Sequence, residues 1–143
     1  MEFLNLIKER YSCKKFDGRP IDESVLTAIL EAGRLAPTAK NAQAQRVYVL
    51  TSPKALAALD SITPCRYGAP VVLAVAYDWN SVFHYPGDTR DSGGRRCLDC
   101  GRPYDACGKK MVGVDSCWVN FFDPEKLKKA LTLPENEDLV LPS

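Results

Sequence analysis

The chain has 143 residues, 45% of them hydrophobic and 26% charged, the make-up of one globular domain with a single core. Its 19 basic and 18 acidic side chains leave a net charge of +1, too weak a field to gather nucleic acid or an anionic membrane. The longest apolar stretch, Ala69 to Ala76, is too short to cross a bilayer, and the mixed charges of "MEFLNLIKERYS" do not read as a signal peptide.

A reducing cytoplasm is the compartment these features imply. Its six cysteines then read as free thiols or ligands rather than disulfides.

Residues 2 to 10 read as a short helix, with Phe3, Leu4 and Ile7 on one face and Lys8, Glu9 and Arg10 opposite. "FDGRPID" makes a turn. Asp22 then caps a helix that starts at Glu23 and is ended by Pro37. Val25, Leu26, Ile29, Leu30, Ala32 and Leu35 recur along it at helical spacing. "NAQAQ" is a polar link into the alternating strand "RVYVLTS". Pro53 sits in the first turn of the helix "SPKALAALDSI". "APVVLAVAYD" is a valine-rich run that reads as a strand buried on both faces. Beyond Asp78, "WNSVFHYPGDTRDSGG" shows no period and reads as a loop. "GVDSCWVNFF" reads as a central strand with Trp118 in the core. Asp123 and Pro124 open the helix "EKLKKAL", and "LPENEDLVLPS" turns into a last strand. The whole is a single α+β domain over residues 1–143, with helices packed on a mixed sheet.

Two short stretches carry chemistry. Arg10 and Lys14 lie four apart around Ser12, so two cations and a hydroxyl donor can face one anion, and the planar fork of an arginine suits phosphate. Past Pro37, Thr38, Asn41 and Gln43 offer donors and acceptors from a loop. Taken singly, the same residues suit a solvated helix end and a turn.

The ordered combination resembles the flavin-dependent nitroreductase family. The resemblance rests on "ERYSCKKF" at 9–16, "ILEAGRLAPTAKNAQAQRVYVL" at 29–50 and "VGVDSCWVNFFDPEKLKKAL" at 112–131, and covers roughly residues 1–92 and 112–143. It implies a nitroreductase-like fold with FMN as cofactor, NAD(P)H as electron donor, and a nitro compound, quinone or similar small molecule as acceptor. It implies a homodimer with the flavin at the subunit interface. Arg10, Tyr11, Ser12 and Lys14 would approach the phosphate, ribityl chain and ring edge; Lys14 supplies charge without the fork. Pro37, Thr38, Ala39, Asn41 and Gln43 would reach the partner's flavin. The flavin carries the redox chemistry, so no side chain need act as nucleophile or general acid. Cys13 and Cys117 read as small apolar groups in packed elements. The resemblance also implies a further strand and basic tail beyond Ser143.

Residues 94–111, "GRRCLDCGRPYDACGKKM", break the pattern. Cys97, Cys100 and Cys107, with His84 upstream, raise a non-enzymatic zinc module as an alternative. A tetrahedral site usually draws on two close ligand pairs, and the second pair is missing. "DCGRP" is also a poor helix start for a redox C-x-x-C. Translation one base later gives something different. Asp99–Cys100 then yields only Ile or Thr, and Cys100–Gly101 only Val or Ala. Tyr104–Asp105 and Asp105–Ala106 each yield Met or Thr, and Cys107–Gly108 Val or Ala. With suitable codons at the unforced positions these fit an apolar helix, which the resemblance implies at this place. Residues 94–110 therefore read as a frameshifted translation, restored before Gly113. A chain carrying it is expected to fold poorly or bind flavin weakly; a catalytically dead family remnant is the remaining alternative.

Overall fold

Ser52 and Asp123 start their helices by the same device. In the computed structural model, which describes residues 3–83, 86–87 and 113–139, each residue is an N-cap followed at once by proline. The Ser52 hydroxyl accepts from the Ala55 amide at 3.2 Å, and the Asp123 carboxylate from the Lys126 amide at 3.1 Å. Each satisfies a helix-end donor that would otherwise lack a partner, while the proline supplies a φ already suited to the first turn.

Two helices precede these. The first, α1, spans Phe3–Glu9, and α2 spans Glu23–Arg34. Asp22 occupies the N-cap position of α2 as expected, but its side chain makes no capping hydrogen bond. Nor does α2 run on to Pro37. It stops at Arg34, and Leu35, expected on its apolar face, is 68% exposed. A 3₁₀ turn over Ala39–Asn41 follows, then β1 at Gln45–Leu50. Next come α3 at Pro53–Asp60, β2 at Val72–Asp78, α4 at Pro124–Leu131 and β3 at Glu137–Leu139.

Among the described residues the sheet has three strands in the order β1-β2-β3, with both pairings antiparallel. The fold is α+β, as the sequence implies, and the mixed sheet expected from it shows antiparallel pairings over these residues. Side chains alternate across a strand, so the register sets what meets what. Tyr48 lies opposite Ala74 and Arg46 opposite Ala76, while Ala76 lies opposite Leu139. On this face Leu50, Ala74, Ala76 and Leu139 join Leu59 of α3 and Leu127 of α4 in the main core. On the other face Val75 and Tyr77 pack against buried Ala44 and Val82. The central strand is thus covered on both sides.

Residues 113–122 form no strand, contrary to the sequence reading. A strand needs a neighbour that offers a ladder of donors and acceptors. This segment lies against irregular chain instead. The Ser116 carbonyl accepts from the Cys13 amide at 2.9 Å, and the Phe121 carbonyl from the Thr63 hydroxyl at 2.5 Å. Trp118, expected in the core, is 42% exposed, and Phe121 is 71% exposed. Cys117 is half-buried in this irregular stretch rather than in a packed element. Among the described residues no helix is long and apolar enough to cross a membrane.

Candidate functional site

The first candidate stretch starts where α1 stops. Because α1 ends at Glu9, the spacing of Arg10 and Lys14 is not that of neighbours on one helix face. The segment is held by its backbone and by one buried side chain. Cys13 is buried, and its thiol donates to the Lys15 carbonyl at 3.2 Å. Its amide bonds to Ser116, and three residues on, the Phe16 amide donates to the Tyr67 carbonyl at 2.9 Å. Gly68 makes that second contact feasible. Its φ is +80°, and a side chain there would begin 3.3 Å from the Phe16 carbonyl oxygen. The Tyr11 hydroxyl reaches Asp115 Oδ2 at 2.8 Å. With Cys13 turned inward, Arg10, Ser12 and Lys14 are all exposed. The arrangement is a fixed backbone that offers two cations and a hydroxyl at its surface.

The second stretch is a strained loop. Lys40, Asn41 and Gln43 all have left-handed backbones, with φ of 54°, 53° and 50°. Non-glycine residues adopt this conformation at a cost of order 1–3 kcal/mol each and keep it only where surrounding contacts impose it. Those contacts are present. Thr38 holds both ends: its carbonyl accepts from the Asn41 amide at 3.0 Å and its hydroxyl from the Gln43 amide at 3.1 Å. Gln43 Nε2 donates to Asn41 Oδ1 at 3.2 Å. The Lys40 ammonium stands 5.0 Å from the centre of the Phe83 ring. Pro37, Lys40, Asn41 and Gln43 are exposed and Thr38 is half-buried; Ala39 contributes its backbone to the 3₁₀ turn. The loop is a small rigid platform bearing two amide side chains.

The two stretches are anchored to different parts of the fold. The contacts of the first run to Tyr67 and to Asp115–Ser116, those of the second to Phe83 and the start of β1.

Where the second stretch joins β1, a group lies outside both motifs. Arg46 Nη1 donates to the carbonyls of Gln43 at 3.1 Å and Gln45 at 3.0 Å. Its other nitrogens face Asp78 Oδ2 at 3.4 Å and Glu137 Oε1 at 3.7 Å. Its signal in the sequence is a charge next to the β-branched run of β1, directly after an Asn/Gln loop. Asp78 is held below the usual carboxylate range, first by the Asn136 amide, then by the Asn80 backbone amide and the Ser81 hydroxyl. Beside Arg46, Gln45 Oε1 is a buried acceptor with no donor among the described residues. An N–H at the edge of a heterocyclic ring has the chemistry to serve it.

His84, Cys97, Cys100 and Cys107 lie outside the described residues, as does the whole of 94–110. Among the described residues no group of His, Cys, Asp or Glu is arranged to hold a metal ion.

A model of the nitroreductase family matches residues 7–68, which include both stretches. A nitroreductase family protein of Clostridium difficile 630 has the same fold at a TM-score of 0.91, with 27% identity over 98% of this chain and 80% of that one. One from Clostridium novyi NT matches at 0.81, with 25% identity over 98% and 81% of the two chains. An FMN-dependent nitroreductase of Clostridium difficile R20291 shares the fold at 0.80 and 17% identity, over 96% and 83%.

Proposed function

We infer, on the premise that this chain belongs to the nitroreductase family, that it is an FMN-dependent oxidoreductase acting on a small nitro compound, quinone or similar acceptor. When bound, the flavin would take hydride from NAD(P)H and pass electrons to the acceptor. The chain's own residues bind and orient. Arg10 and Lys14 would neutralise the phosphate, with Ser12 donating its hydroxyl and Tyr11 lying alongside, braced by Asp115. The loop of Pro37, Thr38, Ala39, Asn41 and Gln43 would meet the flavin of a second copy, so the working unit would be a homodimer. Among the described residues Cys13, Cys65 and Cys117 are in no disulfide, which suits a reducing cytoplasm.

The observation that carries this reading is the platform at residues 38–43. Three left-handed residues in one short loop, held by internal hydrogen bonds and bearing exposed amides, form a binding surface paid for in backbone strain. A plain connector between α2 and β1 has no need of it. The test is a titration of the protein with FMN, followed by flavin fluorescence. Binding is expected to weaken by about tenfold in Arg10→Ala and in Asn41→Ala. Unchanged affinity in both variants would mean that neither stretch touches the cofactor.

A further inference from the structure

We propose that Arg46 is a positioning residue that sets the strained loop from outside it. The proposal rests on reading that loop as part of the flavin site, but its first test does not. The loop's internal bonds all converge on Thr38 and Asn41. None of them ties its far end, Gln43, to the body of the protein. That tie is the Arg46 guanidinium, which holds the Gln43 and Gln45 carbonyls on one side and faces Asp78 and Glu137 on the other.

The sheet makes this geometry rigid. The register places Arg46, Asp78 and Glu137 on one face and puts Ala76, the smallest chiral residue, directly opposite Arg46. The guanidinium can therefore lie across β2 to reach β3. Its anchors are themselves fixed. Asp78 accepts from Asn136, Asn80 and Ser81, and its amide donates to the Ala44 carbonyl at 2.9 Å. Glu137 is 7% exposed and accepts from the Tyr48 hydroxyl. A planar fork with several donors can serve two carbonyls and two carboxylates at once. A lysine ammonium keeps the charge but not the fork.

The experiment compares wild type, Arg46→Lys and Arg46→Met by NMR amide exchange. In Arg46→Lys the charge opposite Asp78 and Glu137 is kept, so exchange in β2 should match wild type. At Asn41 and Gln43 it should rise by about tenfold. Arg46→Met is expected to show the same local rise on top of some general destabilisation. The proposal is overturned if Arg46→Lys leaves the Asn41 and Gln43 amides as slow as in wild type, or if they speed up only in step with β2. FMN affinity, measured on the same variants, separates the two ideas. A loosened loop with weaker FMN binding supports both. A loosened loop with unchanged FMN binding leaves Arg46 as the residue that sets the loop and removes the loop from the flavin site.

Discussion

Tyr48 of β1 donates its hydroxyl to Glu137 of β3, across a strand that lies between them. The bond joins two strands that share no backbone ladder. Glu137 is buried, so its carboxylate depends on this hydroxyl and on Arg46 nearby. Removing the hydroxyl in Tyr48→Phe leaves a buried charge short of a donor and is expected to cost about 1–3 kcal/mol in urea unfolding. The same pair gives an alkaline signature. Burial first, and then the Glu137 bond and charge, push the Tyr48 hydroxyl from its ordinary 10.0 up to about 12. A folded-state value above the unfolded one means a contribution fully present below pH 10 and lost as pH rises towards 12. Wild type should lose stability over that window, and Tyr48→Phe should lose less. Parallel curves for the two proteins would contradict the assignment.

That crossing depends on what β2 presents beneath it. Ala74 lies opposite Tyr48 and Ala76 opposite Arg46, and Ala76 is fully buried. Small side chains leave room for two long ones to lie over the strand. Ala76→Leu would fill the path with added methylenes and force both across-strand contacts out of place. The expected cost is about 1–3 kcal/mol, as for overpacking generally, read from the denaturant midpoint. A neutral or stabilising result would show that the space above β2 is open.

Two aspartates that look alike in sequence should behave differently. Asp22 and Asp123 both precede a helix, but only Asp123 makes the capping bond. Asp123→Ala is expected to cost about 1 kcal/mol and Asp22→Ala a few tenths. Equal costs, measured side by side by chemical denaturation, would mean that the capping bond is not what stabilises the start of α4.

These aspartates also show what could be read from the chain. Elements whose signals are local were legible: the Ser52–Pro53 and Asp123–Pro124 starts, the β-branched run of β1 and the valine-rich β2. The two motif stretches were legible as residue types, because charge and amide chemistry are written in the side chains. What the sequence hid was relational. Whether 113–122 pairs as a strand depends on a neighbour's hydrogen-bonding edge, which periodicity does not report. Leu35 and Trp118 look like core residues by type, yet their exposure depends on what packs beside them. Arg46 is invisible as a positioning residue until the register sets it opposite Ala76 and near Glu137.

The frameshift reading of residues 94–110 has a stability consequence. A cavity of about 660 Å³ is lined, among the described residues, by Val25, Leu26 and Ile29 of α2 together with Leu50, Ala74 and Leu139 of the sheet. Apolar side chains from a helix and from a sheet thus face a space that large residues can fill. Apolar surface that faces such a space forgoes the burial that large side chains laid over it would provide. The segment as written offers arginines, lysines and cysteines in place of aliphatic groups, whereas the one-base-shifted translation supplies Ile or Thr, Val or Ala, and Met or Thr at the forced positions. A chain carrying the shifted translation is expected to melt about 5 °C or more higher, since burying even one or two large apolar side chains contributes about 1.5–3 kcal/mol each. Thermal melts of the two chains, followed by circular dichroism in the same buffer, measure the difference. A melting temperature that stays put or falls would show that residues 94–110 belong to the protein as they stand.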